Sequence, residues 1–149
     1  VVQSNSDVDI LLTAALQFLG LPYIWGGQGI NGFDCSGLAR EILSAAEVFP
    51  PEDTSAQGLH DWLISNGAKK DTYDRGSLVF YGKSNKQISH VVIALSPYIA
   101  IGANGGTSKT LTREDAIRDG AFVKIRAIRY RKDIVAAFMP NYPSHLVCR

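Results

Sequence analysis

The stretch "FDCSGLARE", Phe33 to Glu41, sets a cysteine at the point where an apolar helical pattern begins. Asp34 is a natural N-cap for a helix running from Cys35 to about Ala46. The first turn of a helix carries unpaired N–H groups and a partial positive charge, which favour a thiolate over a thiol. Asp34 opposes this as a neighbouring negative charge, although a capping carboxylate is occupied by helix N–H groups. Ser36 and Gly37 leave little bulk around the sulfur, and the Cys35 N–H is available to an oxyanion. The position suits a nucleophile. It suits equally a small buried side chain, because free cysteine is often a core residue.

A nucleophilic thiol needs a base, which in thiol enzymes comes from a distant part of the chain. His90 fits that need. It opens "SHVVIALS", a strongly apolar strand pattern in which it alone is ionisable; the bland alternative is a strand-edge ring in solvent. His60 falls on a polar part of a helical pattern, and His145 lies in the tail "NYPSHLVCR". The other cysteine, Cys148, lies in the same tail, so a bridge from Cys35 would tie a helix start to a fraying terminus. No paired spacing of the C-x-x-C or H-x-x-x-H kind points to a metal site. "GANGGTSKT" lacks the Gly directly before Lys that a phosphate loop requires, and "RYRK" reads as a solvated edge.

Around these residues the chain divides into helices first and strands later. "SDVDILLTAALQFLG" places Val8, Leu11, Leu12, Ala15, Leu16 and Leu19 at helical spacing, with Ser6 as cap and Gly20 as stop. Thr54 and Gln57 form a capping-box pair for a helix carrying Leu59, Trp62 and Leu63 and ending near Gly67. Then "GSLVFYG", "SHVVIALS", "YIAIGA", "AFVKIRAI" and "DIVAAFMP" read as strands, with "TREDAIRDG" a short helix capped by Thr112. This order predicts a single α+β domain, its N-terminal helices packed on a mainly antiparallel sheet of about five or six strands.

With 149 residues, 46% of them hydrophobic, 19% charged and a net charge of +1, the chain resembles one ordinary globular domain. Near-neutrality gives no electrostatic case for nucleic acid. No apolar run reaches the roughly 20 residues of a membrane span. The opening "VVQSNSDVD" has no signal-peptide pattern and no initiator Met, the mark of a processed or excised chain.

Taken together, "PYIWGGQG", "FDCSGLARE", "GSLVFYG" and "SHVVIAL", in the order cysteine before histidine, resemble the NlpC-type family of papain-like cell-wall cysteine peptidases. The stretch "GGTSKTLTREDAIRDGAFVKIRAI" looks, more faintly, like that of phage-encoded members. The resemblance implies a papain-like core and hydrolysis of amide bonds in peptidoglycan stem peptides, often between D-glutamate and a diamino acid. It implies Cys35 as nucleophile, His90 as general base, and Tyr23, Asp34 and Ser36 lining the cleft. It implies a monomer without a cofactor or metal, acting at the bacterial cell wall. An amidase or acyltransferase with the same dyad, or a wall-binding module with a decayed site, are the alternatives.

The family commonly has a third polar residue, often His, late in the strand after the base. Here the matching position is Gly102, and Asn104 is the nearest candidate. Positions 102 and 104 share a strand face, about 7 Å apart. A shifted register or a bulge at Gly105-Gly106 would bring Asn104 to the imidazole; otherwise a water or a backbone carbonyl orients it.

Overall fold

The computed structural model describes residues 5–29, 31–70 and 72–143. Helix α1 (Asn5–Leu16) is followed by a two-stranded hairpin, β1 (Gln28–Gly29) and β2 (Gly32–Phe33). Helices α2 (Cys35–Ala45) and α3 (Ala56–Ser65) come next, then strands β3 (Lys69–Lys70), β4 (Leu78–Ser84), β5 (Gln87–Ala94) and β6 (Ile99–Asn104). Helix α4 (Arg113–Asp119), β7 (Phe122–Ala127), a 3₁₀ turn at Ile128–Tyr130 and β8 (Ile134–Met139) complete the order. The large sheet has six strands in the order β3-β8-β4-β5-β6-β7, every neighbouring pair antiparallel. The α+β expectation holds, and all five strands read from the sequence are present. The two-residue strands escaped that reading because they are too short to show alternation.

The sheet has two apolar faces. Phe80, Val91, Ile93, Ile101, Ala103 and Phe138 meet Leu38, Ile42 and Leu43 of α2 and Leu59 and Leu63 of α3. Val79, Tyr81, Val92, Ala94, Ala100 and Ala137 form a second layer on the opposite face, closed by Ile128 of the 3₁₀ turn. The outer edge of β7 is covered by Gly20–Tyr23: Gly20 N–H donates to Val123 O, Val123 N–H to Leu21 O, and Tyr23 N–H to Ala121 O. Edge pairing of this kind satisfies backbone groups that would otherwise recruit another strand.

Local details correct several expectations. Ser6 lies inside α1 rather than capping it, and the helix stops at Leu16, before the expected Gly20. Leu11 and Ala15 are buried while Leu16 and Leu19 are exposed, so the apolar stripe is shorter than the spacing implies; the side chain of Val8 lies outside the described residues. The cap of α3 is Ser55, whose Oγ accepts from Gly58 N–H at 3.0 Å, and not Thr54. Gln57 does not close a capping box. Its Oε1 accepts from Ile88 N–H at 2.8 Å and its Nε2 donates to Asn85 O at 2.9 Å, which fastens α3 to the β4–β5 hairpin. Cys148 and His145 lie outside the described residues.

His60 is also placed differently. It is buried, with its ring set edge-on between Phe80 and Phe138 at 5.4 and 5.3 Å, and Nδ1 2.8 Å from Asp61 Oδ1. A helix face read as polar is therefore partly core.

The Gln57 clamp gives a direct test. Gln57→Leu keeps the volume but leaves Ile88 N–H without its acceptor, which should cost about 1–3 kcal/mol. Urea unfolding measures it, and an unchanged midpoint would contradict the clamp.

Candidate active site

The α2 N-terminus is built as the sequence suggests. Asp34 is extended, and its Oδ1 accepts from Gly37 N–H at 2.6 Å and from Ser36 Oγ at 3.3 Å. Asp34 N–H in turn donates to Gly27 O, so the cap is held by the glycine-rich hairpin before it. Cys35 is buried, and its sulfur lies against three backbone N–H groups: Val91 of β5, Ser36, and its own. The thiol therefore meets β5 one residue beyond His90.

The electrostatics differ from the sequence expectation. Burial pushes the Cys35 thiol up to about 11, and Asp34 adds to the rise; the N–H groups at the sulfur pull the other way without prevailing. The helix-end field is worth a fraction of what desolvating a thiolate costs. His90 is displaced in the opposite direction, to about 4, chiefly because burial penalises the imidazolium. In the ligand-free chain both groups are neutral around pH 7.

His90 is buried and not a solvated edge residue. Its Nε2 lies 2.8 Å from Asn104 Oδ1. No bulge or register slip is needed for this. The β5–β6 pairs Ile93↔Ile101 and Ala94↔Ala100, continued along the strands, bring Asn104 opposite His90. Asn104 is 2% exposed, and its Nδ2 donates to Gly102 O at 2.9 Å. That bond fixes which amide atom is the oxygen, so Nε2 of His90 carries the proton and Nδ1 is the basic nitrogen.

Gly102 has no room to act as a substitute. A Cβ there would stand 2.6 Å from Val92 Cγ1 and 3.3 Å from Asn104 Nδ2. Its φ is not left-handed, so the obstacle is packing and not backbone strain.

A cleft of about 530 Å³ opens over the thiol, lined by Tyr23, Asp34, Cys35 and Ser36 together with Trp25 and Ser89 among others. Tyr23 is 5% exposed, and its hydroxyl is held above the ordinary tyrosine range by burial, then by Cys35 and Asp34. Its ring lies on Gly106, where a Cβ would fall 2.0 Å from Cδ1; only glycine admits this contact. Trp25 is exposed at the cleft mouth, with its backbone N–H donating to Thr110 O at 2.7 Å. Asp53, Thr54 and Ser55 form another part of the rim. Sequence reading missed these, since polar loop residues carry no periodic signal.

It also missed "RYRK". Tyr130 donates its hydroxyl to Asn104 Oδ1 at 3.0 Å, and Arg131 pairs with Asp133 while its guanidinium lies 5.2 Å over the Tyr81 ring. Among the described residues no group of three or more metal-ligating side chains is present.

An antiparallel sheet carrying a buried His–Asn pair, with a cysteine at the N-terminus of the packed helix, defines a papain-like α+β protein. Residues 20–128 match the NlpC/P60 family, and the chain belongs to that family. It is 37% identical over 91 residues to a gamma-D-glutamyl-L-lysine dipeptidyl-peptidase of Bacillus subtilis, covering 60% of this chain and 29% of that protein. It is 29% identical over 119 residues to the peptidoglycan endopeptidase RipB of Mycobacterium tuberculosis, covering 71% and 47%. The fold matches an NlpC/P60 family protein from Bacillus cereus with a TM-score of 0.67, at 24% identity, over 91% of this chain and 40% of the other. The chain thus spans less than a third of the Bacillus peptidase and under half of RipB.

Two outcomes follow from the geometry. Gly102→His should lower the melting temperature and fail to add an orienting group, because Val92 occupies the space; a stable variant would overturn this. The displaced His90 makes stability present above pH 6.5 and lost as pH falls from there toward 4. A His90→Gln variant should show a flatter stability curve across that window in pH-dependent urea unfolding; parallel curves would contradict the burial argument.

Proposed function

We propose that the chain is a single papain-like domain, working as a monomer, that hydrolyses amide bonds in peptidoglycan stem peptides. Cys35 is the nucleophile, His90 the general base and Asn104 its orienting partner. The reading rests above all on the 2.8 Å contact between His90 Nε2 and Asn104 Oδ1, which leaves Nδ1 as the proton acceptor one residue from the strand position that meets the thiol. The activities named for the Bacillus and Mycobacterium relatives support the substrate class, and the first of them favours the bond from the γ-carboxyl of D-glutamate to a diamino acid.

The resting pair is neutral, so attack and proton transfer are coupled. As Sγ bonds to the scissile carbonyl carbon, its proton passes to Nδ1 of His90. The resulting imidazolium gives that proton to the leaving amine as the C–N bond breaks, which leaves a thioester. Water then attacks the thioester, loses a proton to Nδ1, and the released sulfur recovers it. Asn104 Oδ1 accepts from Nε2–H throughout and strengthens that bond while the ring is charged. The Cys35 N–H stands where an oxyanion forms. Acyl transfer through a thioester calls for no cofactor. Tyr23, Asp34 and Ser36 shape the wall of the cleft at the attacked carbonyl.

Cys35→Ser should abolish release of muropeptides from purified sacculi, and His90→Ala should lower it by about 10²–10⁴-fold. Mass analysis of the fragments identifies the bond. Comparable digestion by the serine variant would remove Cys35 from its role, and fragments cut outside the stem peptide would replace the substrate assignment. The acid limb of kcat/KM should fall below 6.5, toward 4, because only neutral His90 accepts the proton. An acid limb at or above 6.5 would count against His90.

A further inference from the structure

Asn104 Oδ1 receives two donors, and the second has no place in the scheme above. It comes from Tyr130, the last residue of the 3₁₀ turn, whose hydroxyl lies 3.0 Å from that oxygen. We infer that Tyr130 is a positioning residue for the proposed base, holding the Asn104 amide, and through it the His90 ring, in one orientation. The inference rests on the proposed role of His90.

The turn is rigidly mounted. Tyr81 is fully buried and its hydroxyl donates to Ile128 O at 2.7 Å, while Ile128 N–H donates to Tyr98 O at 2.8 Å. The Tyr81 ring touches both partners it links: His90 at 5.7 Å between centroids and Tyr130 at 5.9 Å. Arg126 lies 5.0 Å over the Tyr130 ring. Side-chain position is thus determined from several sides before any hydrogen bond to Asn104 forms.

The hydroxyl direction is determined as well. The Asn104 amide has its Nδ2 on Gly102 O, so it offers the Tyr130 hydroxyl Oδ1, which only accepts. The Tyr130 O–H donates to Asn104 Oδ1 at 3.0 Å. Tyr130 and His90 therefore both donate to the one Asn104 oxygen. A reversed Asn104 amide would face two donors with its own NH₂ and the Gly102 carbonyl with its oxygen. Removing the Tyr130 hydroxyl halves the donors that forbid that reversal, and the imidazole tautomer loosens with it.

The test uses the whole chain as Tyr130→Phe, with ¹⁵N-histidine labelling and muropeptide kinetics. The wild type should show His90 in the Nε2–H tautomer. The variant should show mixed tautomer shifts, an unchanged melting temperature, and kcat about three- to tenfold lower at unchanged KM. Arg126→Ala removes the ring contact but keeps the hydroxyl, and should match the wild type in both readouts. An equal effect from Arg126→Ala would assign the change to ring packing and overturn the inference, as would an unchanged tautomer in Tyr130→Phe. If Tyr130→Phe does not fold, Tyr130→Leu, which also removes the hydroxyl, decides by the same tautomer signal: mixed shifts support the inference and wild-type shifts overturn it. A tautomer change in a protein that cleaves no stem peptide would sustain the positioning and refute the hydrolase reading instead.

Discussion

The His90–Asn104 hydrogen bond depends on the pairing register of β5 and β6, and the proposed site depends on that bond. A strand shifted by one residue turns every side chain to the other face. Here Val91, Ile93, Ile101 and Ala103 pack toward α2 and α3 in the register that pairs Ile93 with Ile101 and Ala94 with Ala100. The same register brings His90 and Asn104 together beside the strand position that meets the thiol.

The price of this arrangement is desolvation. Burial opposes charge on both Cys35 and His90, and it outweighs the helix end and the N–H groups that favour a thiolate. A neutral pair is therefore the resting state, and the proposed chemistry must move a proton and form a bond together. The layer beneath His90 is suited to a ring that becomes charged only in passing. Asn104 accepts without carrying charge, and the carboxylate of Asp133 is engaged by Arg131.

The cleft is assembled from loops that the sheet and helices hold in place. Gly20–Tyr23 closes the β7 edge and delivers Tyr23 to the thiol, and Gly106 leaves space for its ring. Gln57 binds the far rim to the β4–β5 hairpin through Ile88 N–H. Membership of the NlpC/P60 family follows from residues 20–128.

The sequence by itself determined the α+β class, the five principal strands, the Asp34 cap and the thiol at the head of α2. These features rest on periodicity and capping, which act within a few residues and are written locally. It also singled out His90 through its place on an apolar strand, and Asn104 through the shared face with position 102. Only the tertiary structure decided that Asn104 meets the imidazole, because the register comes from packing between distant strands. Only it showed that Gly102 is filled by Val92, that His60 is core, and that Tyr130 of "RYRK" donates to Asn104. A charged run looks the same on paper whether its arginine faces water or a tyrosine ring. The thiol's protonation likewise could not be read from the helix end, since desolvation belongs to everything packed around the sulfur and not to the residues beside it.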